Sequence, residues 1–261
     1  MGMNEPPSVA PSTATEGQRN ETTTPGNGRR SGRGRLDLSL ILKAGADLIE
    51  DESIHHLSMR NLASRLGVQA MSLYRYVPSR DVLIDGIVDL VLQDLDANPD
   101  VHKEPVDGWE EFVRRLSYGF RKVAHDHPQV FPVVATRPAQ APWIRPPMRS
   151  LTWIDRFLGA LRESGFSAEA TVRAYRAYSS FLLGHLLLEL AGDDVDISDI
   201  VPDAGKTERA TDHATLREKA DLSEFPSVSE LESLLKENHS RQEFERGLEE
   251  TISWMARLQD A

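Results

Sequence analysis

Met71, Ser72, Tyr74 and Arg75 stand close together in the stretch LSMRNLASRLGVQAMSLYRYVPSR, residues 57–80. If this part is helical, Leu73 and Val77 lie four apart and share an inner face, and these four side chains point the other way. A thioether, a hydroxyl, a phenol and a guanidinium make a face too mixed for a core. It is also too aromatic for a plain solvated surface. Such a face is suited to contacting a partner.

The neighbouring residues supply the elements that would present it. Ser58 is placed to cap a first short helix, with Leu62, Ala63 and Leu66 facing inward. Gly67 can take the left-handed conformation that ends that helix, and Val68 can fill the corner before the second. This is a helix-turn-helix pattern, about residues 58–77. A helix expected from Leu38 to Glu50, with Leu38, Ile41, Leu42, Gly45, Leu48 and Ile49 inward, completes a three-helix unit. Pro78 and Ser79 should end the second short helix and cap the next, Asp81 to about Asp96, whose apolar residues begin at Val82.

Charge points to the partner. The chain has a net charge of −11, yet residues 29–82 carry nine Lys/Arg against six Asp/Glu. The local footprint governs nucleic-acid affinity, not the overall balance, and the acidic remainder would help orient the molecule. Residues 1–34 read as a disordered tail with an Arg-rich end, too polar to bury a core. Arg29, Arg30, Arg33 and Arg35 are either the end of a solvated linker or an arm for phosphates or the minor groove.

From Trp109 onward the pattern is helical throughout, so the fold class is all-α. Helices are expected at 109–125, near 129–135, and at 147–164, 168–191 and 229–259, the last broken near Asn238. Residues 192–227, with ten Asp/Glu and four Lys/Arg, read as a flexible loop. The domain organisation expected is 1–34 tail, 35–95 helix-turn-helix head with linking helix, and 96–261 larger helical domain. The run from Phe181 to Leu190 is apolar nearly all round. The stripe Phe244, Leu248, Ile252, Met255, Leu258 adds a second apolar surface. Together they suggest a helix-bundle homodimer.

Catalytic and metal chemistry find little support. The chain has no cysteine, and His125 and His127 diverge on a helix. Gly205-Lys206-Thr207 lacks the first glycine of a phosphate loop, and no hydrolase, zinc-protease or dinucleotide fingerprint occurs. No enzyme activity, metal or cofactor is expected. No apolar run is long enough to span a bilayer, and no signal segment is visible, so no membrane partner and a cytoplasmic, nucleoid-associated location are expected. His185 and Glu189, four apart, could anchor a ligand or form a hydrogen-bonded pair at a dimer seam. Trp109, Phe112, Phe120, Trp143, Trp153 and Phe157 read as core aromatics that could alternatively line a pocket.

The segments LSMRNLASRLGV and SLYRYVPSRDVL, with Leu-Ala-x-x-Leu-Gly-Val, Leu-Tyr and a basic residue before the next helix, resemble the tetracycline repressor family of bacterial regulators. Thr136-Arg137-Pro138, Gly165-Phe166-Ser167 and Phe181-Leu-Leu-Gly184 resemble the C-terminal domain of tetracycline repressors themselves. The resemblance implies a two-fold dimer on double-stranded DNA with a palindromic operator, released by a small-molecule effector. It implies base-edge contact by Arg60, a major-groove face of Ala70, Met71 and Ser72, and phosphate contacts by Tyr74, Tyr76, Arg80 and Ser58. Half-sites would lie about one helical turn apart, roughly 34–36 Å. Arg137, Pro138, Ser180 and His185 are the ligand-binding candidates. The metal-chelating His of tetracycline repressors falls at Val133 and their Glu at Leu188, while Ser180 replaces a drug-contacting His, so the effector implied is not tetracycline and its pocket is more apolar. An activator of the same architecture, or a helical scaffold that has lost specific DNA binding, are the alternatives.

Overall fold

The computed structural model describes residues 36–101, 106–137, 143–144, 150–192 and 224–259. The expected tail and its arginines, Pro138 and most of the 192–227 connection lie outside them. Among the described residues every regular element is helical. In chain order these are α1 (Leu38–Glu52), a 3-10 turn (Ile54–His56), α2 (Met59–Leu66), α3 (Ala70–Leu73), α4 (Arg80–Ala97) and α5 (Trp109–Asp126). They are followed by α6 (Phe131–Thr136), α7 (Leu151–Glu163), α8 (Ala168–Gly192), α9 (Pro226–Leu235) and α10 (Ser240–Gln259). The break expected near Asn238 falls between α9 and α10. No helix among them is long and apolar enough to cross a membrane.

The small helices form where their caps dictate. Asp37 Oδ1 accepts from Leu40 N at 2.8 Å, Ser58 Oγ from Asn61 N at 3.1 Å, and Ser79 Oγ from Val82 N at 3.2 Å. Each satisfies an amide that the first turn of a helix leaves without a partner. Gly67 ends α2 in the left-handed region, φ 64° and ψ 32°, and Val68 N donates to Ala63 O at 3.0 Å. Nothing lies within 4 Å of a Cβ built on Gly67, so only backbone strain opposes a side chain there. Gly67→Ala should therefore cost roughly 1–2 kcal/mol, seen as a lower urea midpoint. An unchanged midpoint would show that the turn does not depend on that conformation.

Helices α1 and α4 cross unusually close because each puts a glycine beneath a large side chain of the other. A Cβ on Gly45 would meet Ile87 Cδ1 at 2.7 Å, and one on Gly86 would meet Leu42 Cδ2 at 2.6 Å. Ile41, Leu48, Ile49, Leu62, Leu73, Val77, Leu83 and Ile87 close a small core around that crossing. Leu38, expected inward, is exposed instead, because it sits in the first turn of α1 beyond the reach of that core; Val82, in the first turn of α4, is exposed as well.

The larger part is built around α8, which packs against α5, α6, α7 and α10. Trp109, Phe112, Val113, Leu116, Phe120 and Val123 give α5 one buried face at helical spacing. Tyr178 of α8 is wholly inside this layer, stacked 4.8 Å from the Phe157 ring. Its hydroxyl shares a hydrogen bond with Ser117 Oγ at 3.0 Å, and burial pushes the phenol's pKa up. Phe244, Leu248, Ile252 and Met255 of α10 are buried against the same chain. The stripe expected to serve dimerisation is thus largely used inside one protomer, because α5 and α8 together present enough apolar surface to absorb it. Trp143, grouped with the core aromatics in the sequence, is exposed.

Candidate nucleic-acid interface

α2 and α3 meet across Gly67, and the chain continues through one further turn in which Tyr76 N and Val77 N both donate to Leu73 O at 2.9 Å. That turn aligns Leu73 and Val77, which are buried, beneath an outward face. On that face Met71 is 74% exposed and Tyr74 44% exposed. Ala70 and Ser72 are half-buried beside them, and Ser58 is half-buried at its cap. Met71 and Tyr74 together leave exposed apolar surface on one face of the motif, open to a partner. Arg60, second residue of α2, is exposed and has no hydrogen-bond or ion-pair partner among the described residues.

Two expected phosphate contacts have internal bonds as well. The Tyr76 hydroxyl donates to Leu36 O at 2.7 Å, and its ring lies 5.8 Å beneath the Arg75 guanidinium. A phenol has one proton to give and a phosphate oxygen only accepts, so contact with phosphate would compete with the bond to Leu36. Arg80 donates from Nε to Leu57 O at 2.8 Å and from Nη2 to Ile54 O at 2.9 Å. It ties the first residue of α4 to the 3-10 turn that precedes α2. A guanidinium has five N–H donors, so these bonds leave its charge available at the surface. Nothing in the local sequence marks either role, since the partners are 40 and 23–26 residues away.

Behind this surface, charged groups join it to the larger helical part. Glu50 of α1 accepts from Gln129 N at 3.1 Å and Val130 N at 3.2 Å, the amides just before α6. Burial raises the Glu50 carboxyl pKa above the ordinary value, against the lowering effect of those two amides. His127 Nε2 lies 2.9 Å from Asp94 of α4. At the far end of α6, Arg137 Nε donates to Asp85 Oδ1 at 2.5 Å and Nη2 to Asp81 O at 3.1 Å, both on α4. Helix α6 is held at both ends by α1 and α4, the helices that flank the helix-turn-helix.

The ligand candidates have different surroundings. Arg137 is committed to α4, Ser180 is exposed on α8, and Pro138 lies outside the described residues. His185 sits between the Phe181 and Phe244 rings, centroids 5.7 and 5.4 Å away, and its buried Nε2 has no hydrogen-bond partner among the described residues. Glu189 is not its partner. The Glu189 carboxylate, 3% exposed, accepts from Arg121 Nε at 3.2 Å and Nη2 at 2.5 Å, with His125 Nε2 3.2 Å from Oε1. Val133 is half-buried and Leu188 is 73% exposed. A cavity of about 290 Å³ opens between the end of α4 and α5, lined by Asp94, Ala97, Asn98, Pro99, Lys122, Val123 and Asp126. None of the ligand candidates lines it.

A short exposed reading helix on a small helical head, backed by a larger helical body, defines a helix-turn-helix transcriptional regulator. Residues 41–87 match the model of bacterial regulatory proteins of the tetR family, and residues 101–258 that of the tetracyclin repressor-like C-terminal domain. The tetracycline repressor protein class A from transposon 1721 of Escherichia coli is 30% identical over 190 residues, covering 72% of this chain and 81% of that protein. A possible TetR family transcriptional regulator from Streptomyces coelicolor A3(2) superposes with a TM-score of 0.65 at 24% identity, over 85% of this chain and all of that one. The Streptomyces coelicolor TetR family protein ActR, in complex with actinorhodin, gives a TM-score of 0.60 at 22% identity, over 85% of this chain and 96% of ActR. The chain belongs to the TetR family of bacterial regulatory proteins.

Proposed function

We propose that the protein acts as a homodimeric repressor on the bacterial nucleoid, binding a palindromic operator and leaving it when a small organic effector binds. It acts by binding and not by catalysis. Residues 35–95 form the reading head and 96–261 the effector and dimerisation part. The observation that carries this reading is the exposed Met71–Tyr74 face over buried Leu73 and Val77, with Arg60 unpartnered beside it. Arg60 reads a base edge, Ala70, Met71 and Ser72 face the major groove, and Tyr74, Arg80 and Ser58 set the register on phosphates. A metal–tetracycline chelate is not the effector proposed. Val133 and Leu188 stand where its His and Glu ligands would be, and no group of three or more His, Asp or Glu able to hold a metal exists among the described residues. ActR, similar in fold, is seen with the organic ligand actinorhodin, which supports an organic effector here. Arg137, Pro138, Ser180 and His185 remain the ligand-binding candidates, with the unpartnered Nε2 of His185 the best placed to receive a ligand hydrogen bond.

Effector binding can move the head only through differential affinity for two states, about 5.5 kcal/mol for a change from 1:99 to 99:1. The bonds at both ends of α6 supply the connection: a shift of α6 pulls α1 through Glu50 and α4 through Arg137. Glu50→Ala leaves two backbone amides without their acceptor and should cost about 1–3 kcal/mol in urea unfolding. An unchanged midpoint would remove Glu50 from the coupling route. The function itself is tested by selecting random duplexes with the purified full-length protein at near-physiological salt. Enrichment of a palindrome is expected; weak, salt-sensitive, sequence-independent retention would overturn the reading in favour of a scaffold.

A further inference from the structure

We propose that Gln69, the residue that opens α3, reads a base edge through its side-chain amide, with adenine as its partner. The inference rests on the DNA-binding reading above and adds a reader that the helical spacing of Met71 and Tyr74 does not reveal. Its basis is the way α3 begins. In the head, α1, α2 and α4 each start on a residue whose side-chain oxygen accepts a first-turn amide: Asp37, Ser58 and Ser79. Helix α3 has only four residues, and so short a helix gains little from its own hydrogen bonds. It is the one of these four in most need of a cap. It opens instead on Gln69, whose backbone has the extended N-cap conformation, φ −81° and ψ 142°, but whose side chain caps nothing. Gln is one methylene longer than Asn, and the shorter Asn, Asp and Ser are the side chains favoured at this position.

The amide not used for capping is left outside. Gln69 is exposed, and its carboxamide has no hydrogen-bond partner among the described residues. Its backbone is fixed all the same: Ser72 N donates to Gln69 O at 2.9 Å, and Leu73 is fully buried one turn further on. A free amide on a fixed backbone offers one donor group and one acceptor at the start of the reading helix. The N-terminal residues of such a helix are the ones that meet base edges in the major groove. Adenine presents N7 as an acceptor and N6 as a donor there, and a Gln amide matches both at once. Neither exposed neighbour can do so, since Arg60 only donates and Met71 makes apolar contact. An exposed side chain gains little from packing, and capping favours Asn or Ser over Gln. Recognition is the role that the extra length serves.

The test selects random duplexes with the full chain and three variants, and follows the urea unfolding of each. Wild type should enrich adenine at one position of each half-site that is lost in Gln69→Ala, which should bind the wild-type operator about 10-fold more weakly per half-site. Gln69→Asn should separate fold from recognition. Its urea midpoint should rise because Asn can cap, while discrimination at that position is lost because its amide stops short. Gln69→Glu keeps the length but only accepts, so the selected base should change from adenine to cytosine, whose N4 donates. An unaltered selected sequence in the Ala and Asn variants would overturn the proposal. So would equal weakening on every duplex, which would make Gln69 a phosphate contact, or a Glu variant that still selects adenine. A midpoint that does not rise in Gln69→Asn would remove the capping argument on which the proposal stands. Failure of wild type to enrich any palindrome would instead sink the DNA-binding reading itself.

Discussion

Arg121→Met should cost about 3–5 kcal/mol of folding stability at neutral pH, because it leaves the Glu189 carboxylate buried and without its main partner. Arg121 gives Glu189 two hydrogen bonds, and its guanidinium also lies 5.6 Å over the Phe244 ring, so one side chain joins α5, α8 and α10. Met keeps much of the stem's volume and none of the charge. Burial alone would raise the Glu189 carboxyl pKa; the Arg121 hydrogen bonds and charge, then His125, outweigh that and hold it below the ordinary value. A carboxyl lowered in the folded state contributes stability above its unfolded pKa, and the contribution is lost as pH falls through the folded value. In the Met variant burial is no longer outweighed and the carboxyl moves up, so the folded state takes up a proton readily. The gap between wild type and variant should be large at pH 7 and small near pH 4, by urea unfolding at both. Arg121→Met with Glu189→Leu should recover most of the loss, since a matched apolar pair strands no charge. A gap independent of pH, or no recovery in the double variant, would mean that Arg121 acts through packing alone.

What the sequence revealed and what it concealed divide along one line. Ser58, Gly67 and Ser79 were legible because a cap or a left-handed turn acts on amides within a few residues. The outward set at Met71 and Tyr74 followed from helical period once Leu73 and Val77 were taken as inner. Long-range pairing has no such local mark. Glu50 meets amides 79 and 80 residues away, Arg121 a carboxylate 68 away and Arg137 one 52 away, and composition favours none of these partners over others. Spacing misled at His185 and Glu189, where four residues on one helix suggested a pair but α5 supplied a better one. The α10 stripe announced that a face is buried without saying against what, and α8 and α5 took it. Gly86 gave no sign at all, because a close helix crossing depends on what lies opposite, at Leu42.

The other large effect belongs to the DNA surface, and Arg60→Ala is its sharpest probe. Arg60 has no partner within the described residues and is exposed, so its removal should leave the urea midpoint unchanged. On the operator it should cost about 1–3 kcal/mol per half-site, roughly 2–6 kcal/mol for a dimer engaging two. The loss should be confined to one base pair per half-site, where the variant no longer discriminates. Arg60→Lys separates the causes: it keeps the charge but loses the bidentate fork, so it should retain the salt slope and still lose discrimination. Tyr74→Phe is the contrast, because a phosphate contact sets register without reading sequence; its loss should be similar on every duplex. If Arg60→Ala instead weakens all sequences equally and lowers the salt slope by about one per head, Arg60 is a phosphate contact. Base reading would then fall to Gln69, Ala70, Met71 and Ser72. Ala70 and Met71 can favour a thymine methyl, and the Ser72 hydroxyl can meet a donor or an acceptor on any base, so the operator would then be read less strictly at those positions.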